Sequence, residues 1–343
     1  MCPLHCLHCR AEAQLHPYPG ELTTAEGKQL IDQIYSMDNP LLVFSGGDPL
    51  MRSDIFELIA YAAGKGLRVS ITPSATPRLT RKAVFRSKAA GIARWALSLD
   101  GPDAASHDGF RGMRGIFDRT MQGMSYLREA GISFQINTTV TQQNVDRLPE
   151  MAELIKAVGA SVWTLFFLVP VGRGKLLQPI SPQKHEEVLH WAYHLQRRMP
   201  YIVSTTEAQF YRRVVYQENR KRIRAGLKPV GHVHDDLAKA PRGTNDGNGF
   251  VFVSHTGDVQ PSGFLPIKCG NVKQTPFPDI YRNHPVLQAL RDPDSTKGKC
   301  GVCEFRYLCG GSRARAYAVT GDYKAAEPYC IYLPKVYRQQ QVR

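Results

Sequence analysis

Apolar and polar residues alternate along the first 198 positions in a repeated order of helix-like and strand-like segments. The first helix is predicted from Leu30, Ile31 and Ile34, which keep a helical spacing after a capping residue, Thr23 or Thr24. Short, almost wholly apolar runs then recur, as is typical of strands buried on both faces of a parallel sheet. Five strands are predicted over residues 41–47, 68–75, 93–101, 133–140 and 161–170, and helices between them near 53–65, 80–91, 115–131 and 146–158.

This βα order predicts a parallel sheet with helices outside it and right-handed crossovers. One strand is missing from the pattern, because Met1 directly precedes Cys2 and leaves no room for a strand before the first loop. We therefore expect a partial barrel without its first strand, and a chain that is truncated at its N-terminus. Such a barrel exposes one edge of its sheet.

A second region is predicted from about residue 249. The run FVFVSHTGDVQPSG, residues 250–263, is typical of a β-hairpin that turns at Thr256–Gly257. Residues 199–248 are basic and become rich in Gly, Asn and Asp near their end, which indicates a bridge rather than a domain. We thus predict a barrel over residues 1–198, a basic bridging segment over 199–248 and a small C-terminal domain over 249–343.

The composition is that of a globular chain with an excess of positive charge. The 343 residues are 43% hydrophobic, enough for one large or two ordinary domains, and no apolar run approaches the length of a membrane span. The net charge is +14, and residues 211–228 contribute much of it. A nucleic-acid partner, a polycarboxylate substrate or a solvated basic helix face would each explain this charge. We do not favour nucleic acid, because no known nucleic-acid motif accompanies the charge.

Eight cysteines fall into two sets separated by more than half of the chain. In a reducing cytoplasm, such close sets indicate metal sites rather than disulfides, so we expect a cytoplasmic protein. The first set is Cys2, Cys6 and Cys9. Three thiolates can hold three irons of a 4Fe-4S cluster and leave the fourth iron open, and S-adenosylmethionine can chelate that iron through its amino and carboxylate groups. A zinc site is the alternative, since His5 and His8 lie in the same run.

Two segments together carry a resemblance to a known family. The run Cys2-Pro3-Leu4-His5-Cys6-Leu7-His8-Cys9 matches the cluster loop of the radical SAM superfamily, and Ser45-Gly46-Gly47-Asp48-Pro49 matches its Gly-Gly-Glu-Pro segment. The chain resembles that superfamily over most of its length. The resemblance implies an α/β fold, a partial (β/α)6 TIM-like barrel with a small C-terminal iron–sulfur domain. It also implies an enzyme that cleaves S-adenosylmethionine and uses the 5′-deoxyadenosyl radical to abstract hydrogen from a substrate.

The resemblance also implies a set of cofactor contacts. Glycines let backbone carbonyls approach the methionine amino group, and Asp48, shorter than the usual Glu, balances its charge. Ser98 and Asp100 would contact the ribose or carboxylate, and Leu168 would lie near the adenine. The predicted cofactor-binding residues, which belong to the cysteine run or to the carboxyl ends of predicted strands, are His8, Gly46, Gly47, Asp48, Ser74, Ser98, Asp100, Thr138 and Leu168.

The second cysteine set resembles the SPASM/twitch auxiliary-cluster domain, which in its full form holds two further clusters. Ser262 and Arg313 stand where that family has Cys, and both losses remove ligands of the same cluster. The resemblance therefore implies one auxiliary 4Fe-4S cluster, with the ligands Cys300, Cys303, Cys309 and Cys330. A four-cysteine zinc site is the alternative. Cys269 is left as an extra ligand, a free thiol beside the substrate or a buried bystander.

The C-terminal tail and the run FFLVPVGRGK resemble enzymes that alter tetrapyrrole side chains in alternative heme synthesis and in denitrifier heme maturation. This implies an anionic tetrapyrrole substrate and an electron donor such as flavodoxin or ferredoxin. Arginines can bind several carboxylates bidentately. The candidate substrate-binding residues are Arg111, Arg173, Arg212, Arg213, Arg313 and Arg315.

Two other classes of protein remain as alternatives. Many SPASM proteins mature a ribosomally made peptide, but those enzymes often carry a peptide-recognition domain, for which we expect no room before Cys2. A non-enzymatic iron–sulfur or nucleic-acid-binding protein would not need the Gly-Gly-Asp-Pro segment or an open iron.

Overall fold

The computed structural model describes residues 1–230 and 243–340. A six-stranded parallel sheet dominates the N-terminal region, and the order of its strands in space is their order along the chain. Helices connect the strands, so the predicted α/β partial barrel is confirmed. The strands are β1 Leu41–Phe44, β2 Arg68–Ile71, β3 Arg94–Ser98, β4 Phe134–Val140, β5 Val162–Phe167 and β6 Ile202–Thr206.

The helices of this region begin and end where the sequence supplies caps. A capping box joins Thr23 and Glu26 at the start of the first helix, so of the two predicted capping residues, Thr23 and Thr24, the first is the cap. Gly131 and Gly159 end the fifth and sixth helices in the left-handed conformation that glycine adopts without strain. The helices are α1 Thr24–Met37, α2 Ile55–Gly64, α3 Arg81–Ala89, α4 Ala104–Arg111, α5 Ile116–Ala130, α6 Leu148–Val158, α7 Pro182–Gln196 and α8 Tyr211–Arg224.

The last strand and helix of the barrel lie in the segment that was predicted to be a bridge. β6 pairs with β5 in register from Val162–Ile202 to Phe166–Thr206. Its sequence, IVSTT, has only two apolar residues, so it does not show the apolar run of a buried parallel strand. Helices α4 and α7 were also not predicted. Residues 231–242 of the predicted bridge lie outside the described residues.

The core lies between the sheet and its outer helices. Two fully buried tryptophans mark the helix-packed face of the sheet, and each indole finds a hydrogen-bond acceptor. Trp95 on β3 donates to the hydroxyl of Ser87 on α3 over 2.8 Å, and Trp163 on β5 donates to the hydroxyl of Thr138 on β4 over 2.8 Å. The opposite face of the same strands is therefore the inner face of the barrel.

The C-terminal region contains the predicted hairpin, whose two strands pair antiparallel around Thr256–Gly257. A third short strand pairs with the second strand of the hairpin. The elements of this region are β7 Asn245–Asp246, β8 Gly249–Phe250, β9 Phe252–Val253, β10 Asp258–Gln260, β11 Gly270–Asn271, α9 Phe277–Asn283, α10 Pro285–Arg291, α11 Gly298–Gly301, α12 Arg313–Thr320 and α13 Lys335–Gln340.

One buried arginine ties the C-terminal region to the barrel. Arg315 on α12 is fully enclosed and donates to the carbonyls of Phe167 and Leu168 at the end of β5, over 3.2 and 3.3 Å. It also pairs with the buried Glu327 over 3.3 Å. Three acceptors from two regions of the chain thus converge on a single guanidinium, so the two regions share a polar core.

Replacing Arg315 with Ala should lower stability by about 3–5 kcal/mol, because it leaves Glu327 buried without its cation. Lys297→Ala is the matched control, since it removes one partner of an exposed pair with Asp322, and we expect a much smaller effect. Urea unfolding followed by circular dichroism measures both. Equal midpoints for the two variants would contradict the assigned role of Arg315.

Candidate functional site

The N-terminal cysteine loop lies against three glycines, each so close that no side chain would fit. A Cβ atom built on Gly47 would lie 2.3 Å from the Met1 carbonyl oxygen. A Cβ on Gly112 would lie 2.6 Å from the His5 carbonyl oxygen, and one on Gly172 would lie 2.6 Å from that of Cys9. The glycines follow β1, α4 and β5, so the loop is held at the carboxyl ends of the strands, where barrel sites form.

Backbone hydrogen bonds fix the loop at the same three places. The Asp48 amide donates to the Met1 carbonyl over 2.7 Å, and the Leu7 amide donates to the Phe110 carbonyl over 3.1 Å. Arg173 donates twice, from its amide to the Cys9 carbonyl over 3.0 Å and from Nε to the Cys6 carbonyl over 2.9 Å. The loop conformation is therefore set by its neighbours.

Two of the three thiols of this loop, those of Cys2 and Cys6, have hydrogen-bond donors beside them. Cys2 and Cys6 are buried and Cys9 is half-buried. Burial raises the pKa of Cys2, while the Leu4 amide and the Ser74 hydroxyl act in the opposite direction. Arg111 donates to Cys6 Sγ over 3.8 Å and forms a buried ion pair with Asp100 over 2.5 Å. Such donors suit anionic thiolates, so these residues fit an iron–sulfur cluster with three protein ligands.

The Gly-Gly-Asp-Pro segment lies beside Cys2. Both carboxylate oxygens of Asp48 accept hydrogen bonds, one from the Thr76 hydroxyl over 2.5 Å and one from the Leu50 amide over 3.0 Å. Burial raises the pKa of Asp48. The Ser74 hydroxyl donates to the Gly47 carbonyl over 3.1 Å. These contacts orient the segment, and contact with S-adenosylmethionine stays a prediction for each of its residues.

Ser74 and Ser98 line one cavity together with Leu4 of the cysteine loop and the buried Arg111. Asp100, in contrast, is fully buried: it pairs with Arg111 and accepts from the Thr139 amide over 2.7 Å. Its carboxylate therefore acts on the site through Arg111. The two serines remain the cofactor candidates that face open space at the strand ends.

Thr138 is a correction to the predicted cofactor contacts. Its side chain is fully buried on the helix-packed face, where the hydroxyl donates to the Leu99 carbonyl over 2.6 Å and accepts from Trp163. The alternation in FQINTTV, residues 134–140, already carries this signal, because Thr138 shares its face with Phe134 and Ile136. The predicted cofactor contact rested on the position of Thr138 at the end of the strand. It did not take into account that side chains alternate between the two faces of a strand.

The predicted residue Ser98 belongs to a row of polar residues on the inner face of the barrel, and the other three were missed from sequence. Ser98, Asn137, Thr164 and Ser204 are register partners across β3, β4, β5 and β6. All four are on the face opposite to Trp95 and Trp163, and paired positions of a parallel sheet share a face. The barrel interior therefore offers hydroxyl and amide groups to a polar ligand.

His8 and Leu168 both lie against the ring of Phe110, which was not singled out from sequence, and their contact with the cofactor stays a prediction. The His8 ring stacks on Phe110 at 4.8 Å between centroids, and Leu168 packs against Phe110 and Leu177. Burial lowers the pKa of His8 well below its ordinary value, with Arg111 and Arg173 acting in the same direction. His8 Nδ1 is buried and has no partner among the described residues. The pair thus forms an apolar wall beside the cysteine loop.

The six candidate substrate arginines do not form one group. Arg315 is the tie between the two regions, and Arg313 is buried and donates to the carbonyls of Tyr323 and Ala325 over 3.2 and 2.7 Å. Protein partners thus occupy both guanidinium groups, which corrects the expectation that they bind substrate. Arg111 lies at Cys6, paired with Asp100.

The other three arginines lie at two different places. Arg213 pairs with Glu186 over 2.6 Å, and Arg212 donates to the Leu308 carbonyl over 3.3 Å, both beside the second cysteine set. Arg173 lies at the first set, and its Nη2 atom is buried without a partner in the described part of the chain. Arg173 therefore keeps a free donor at the cysteine loop, and so does Arg111, whose Nε is also buried without a hydrogen-bond partner among the described residues.

The second cysteine set lines a single cavity between α8 and the C-terminal loops. Each sulfur accepts a backbone amide: Cys300 from Glu327 over 3.3 Å, Cys303 from Phe305 over 3.4 Å and Cys309 from Gly311 over 3.3 Å. The Tyr332 amide acts in the same way on Cys330. Burial raises the pKa of Cys309 to about 12 and that of Cys330 to about 11. Four half-buried thiols that line one cavity and accept backbone amides fit an iron–sulfur cluster.

Cys269 lies apart from this cavity. It is buried in a separate apolar group with Val259, Phe277 and Leu287, and burial raises its pKa to about 11. It occupies the place of a buried bystander, one of the three predicted outcomes. Ser262 is also buried, and its hydroxyl accepts from the Leu265 amide over 3.2 Å.

Comparisons with known proteins agree with this geometry. Residues 1–155 match the radical SAM superfamily. An AdoMet-dependent heme synthase of Nitratidesulfovibrio vulgaris is 46% identical over 336 residues, which cover 97% of this chain and 90% of that protein. An AdoMet-dependent heme synthase of Methanosarcina barkeri is 44% identical over 334 residues, which cover 97% and 94%.

The fold is also that of a solved structure, Streptococcus suis SuiB bound to S-adenosylmethionine. The TM-score is 0.71 at 17% identity, over 96% of this chain and 75% of SuiB. In the described part of the chain, no helix combines the length and apolar character that a membrane crossing requires.

The close contact at Gly112 predicts a specific loss of iron from the N-terminal site. Gly112→Ala should clash with the His5 carbonyl and displace the loop, so the iron content should fall by about the four atoms of one cluster. Gly115→Ala is the matched control, because Gly115 also has positive φ but has open space around it. The Gly115→Ala variant should have similar backbone strain but should keep the iron content of the wild type. Iron analysis after anaerobic reconstitution measures both, and equal iron in the two variants would refute the contact.

Proposed function

This chain belongs to the radical SAM superfamily, and we propose that it removes hydrogen from a carboxylate-bearing side chain of an iron-bound tetrapyrrole, as an enzyme of the AdoMet-dependent heme synthase type. The observation that carries this proposal is the near full-length match to heme synthases together with an intact site. In this chain, the cysteine loop is seated over the strand ends and a free arginine donor lies beside it.

The open 4Fe-4S cluster would supply one electron that splits S-adenosylmethionine into methionine and a radical able to take a hydrogen atom. The loop residues Cys2, Cys6 and Cys9 would hold that cluster, and Arg111 would balance its charge. Ser74, Ser98 and the polar row of the inner face would orient the cofactor and substrate. Arg173 would bind a carboxylate through its free Nη2.

A propionate side chain is the substrate group that this chemistry fits. Loss of one hydrogen atom from the side-chain carbon that is bound to the ring, followed by loss of carbon dioxide from the neighbouring carbon, leaves a vinyl group and one electron. The reaction therefore needs an electron acceptor. We propose that Cys300, Cys303, Cys309 and Cys330 hold an auxiliary 4Fe-4S cluster that takes this electron. An external donor such as flavodoxin or ferredoxin, in the cytoplasm, would supply the electron that starts each turnover.

Four thiols that line one cavity, with backbone amides that donate to their sulfurs, fit a four-iron cluster. A four-cysteine zinc site would use the same ligands, so metal analysis has to distinguish the two.

The two ligand sets predict about eight irons per chain after anaerobic reconstitution, four for each cluster. Changing Cys2, Cys6 and Cys9 together to Ala should leave about four, and changing the four C-terminal cysteines should also leave about four. Cys269→Ala is the control and should keep all eight. Iron and zinc analysis decides the matter: four irons in the wild type, or one zinc per chain, would refute the auxiliary cluster.

Turnover tests the substrate. With dithionite, the protein should convert S-adenosylmethionine to 5′-deoxyadenosine, and with iron-coproporphyrin each converted side chain should lose the mass of CO₂ plus two hydrogens. Binding of the tetrapyrrole should weaken as salt rises, because carboxylates are bound through charge. Anaerobic assays with mass spectrometry measure both products. Cofactor cleavage without tetrapyrrole binding, together with a mass change in a peptide encoded nearby, would indicate a peptide maturase instead.

A further inference from the structure

Exposed apolar side chains gather around the second cysteine set. Val302, Tyr307 and Leu308 flank the ligands Cys303 and Cys309, and Tyr307 is 63% exposed. Tyr216 on α8, also exposed, joins this group because its ring lies 5.6 Å from that of Phe305 in the same loop. We call these four residues, Tyr216, Val302, Tyr307 and Leu308, the auxiliary patch. A contiguous apolar surface with a charged rim is typical of a protein-binding site.

A stripe of positive charge leads to this patch along α8. Arg212, Tyr216, Arg220 and Arg224 follow one another at intervals of four residues, so they lie on one face of the helix. Arg212 donates to the Leu308 carbonyl, and the Arg220 guanidinium lies 5.8 Å from the Tyr216 ring. Among the described residues, neither Arg220 nor Arg224 has an acidic partner. Their charges are therefore available to an incoming surface.

The acidic residues near the patch are already paired. Asp294 accepts from Arg306 and Tyr307, and Glu304 accepts from Tyr332 and lies 3.8 Å from Arg338. Glu218 on α8 pairs with Lys221 and lies beside His190. Among residues 1–230 and 243–340, the free charge of this face is thus positive, and the α8 stripe carries it.

The two cysteine sets differ in how close they lie to the surface. In the first set Cys2 and Cys6 are buried and Cys9 is half-buried, whereas in the second set all four cysteines, Cys300, Cys303, Cys309 and Cys330, are half-buried. An auxiliary cluster would therefore lie directly beneath the auxiliary patch. A protein that exchanges electrons with this chain would come closest to the auxiliary cluster by binding at the auxiliary patch.

We propose that the auxiliary patch and the α8 stripe form the docking surface for an acidic one-electron carrier protein, which exchanges one electron with the auxiliary cluster. The inference rests on the auxiliary cluster of the proposed function. In the exchange no bond forms or breaks, and the electron lost by one centre is gained by the other. A small patch steered by charge suits the brief encounters of redox proteins.

Charge complementarity selects this partner over a second copy of the chain. In a symmetric pair, the α8 stripe of one copy would face the same stripe of the other, and like charges repel. An acidic carrier meets no such repulsion.

Calorimetric titration of the reconstituted protein with oxidised flavodoxin tests the docking surface. Binding should be salt-sensitive, and Arg220→Glu with Arg224→Glu should weaken it about tenfold or more. Lys82→Glu with Arg128→Glu, on the exposed faces of α3 and α5, makes the same change in net charge away from the patch and should bind as the wild type does. Tyr216→Ala should weaken binding with little change in its salt dependence, since it removes apolar contact area.

Equal binding by the wild type and the α8 variant overturns the proposal, and so does equal weakening by the control pair. No binding of flavodoxin or of an acidic ferredoxin to the wild type at low salt also overturns it. Self-association that the α8 variant abolishes, seen by sedimentation, would assign the patch to a second copy instead. Dithionite-driven cleavage of S-adenosylmethionine reports the proposed function separately, because a small reductant needs no docking surface.

Discussion

The cysteine loop depends on backbone contacts at which no side chain fits. Three carbonyl groups of residues 1–9 lie against the Cα atoms of Gly47, Gly112 and Gly172, which belong to three separate βα units. A cluster with an open iron needs its thiolates fixed while one side stays free. Here the contacts all come from one side, the carboxyl ends of the strands. Contacts with the barrel thus fix the conformation of the cysteine loop, although the loop itself contains no helix or strand.

Charge at both cysteine sets is balanced by groups that are themselves held in place. Asp100 holds Arg111 beside Cys6, and Glu186 holds Arg213 beside the second set. A buried cation without a partner would be costly, so each pair keeps a positive charge near thiolates. The amide donors follow a common local rule, because Cys2, Cys303, Cys309 and Cys330 each receive the amide two residues further on. Spacing along the chain therefore supplies part of the site's electrostatics.

The sequence predicted what depends on local pattern and missed what depends on distant contacts. The five apolar strands and the hairpin each have a signal within a short segment of the chain, and all of them are present in the structure. β6 was missed because its apolar content is low, and its identity comes from pairing with β5. Arg315 was assigned to substrate because nothing in the tail shows that Phe167 and Glu327 surround it. For Thr138 the sequence did contain the necessary signal, because the alternation of residues in β4 places it on the helix-packed face. The prediction relied instead on its position at the end of the strand.

The two replaced cysteines explain why one auxiliary cluster fits this chain better than two. Arg313 is buried and holds the Tyr323 and Ala325 carbonyls, and it also donates to Cys300 Sγ over 3.9 Å. Ser262 is buried beside Asp246, whose carboxylate accepts from the Ala314 amide over 3.0 Å. A guanidinium and a carboxylate thus lie at the two positions where the SPASM pattern has Cys or next to them. If Cys300 holds the proposed auxiliary cluster, the positive charge of Arg313 would lie at one of its ligands and would favour the more negative, reduced state.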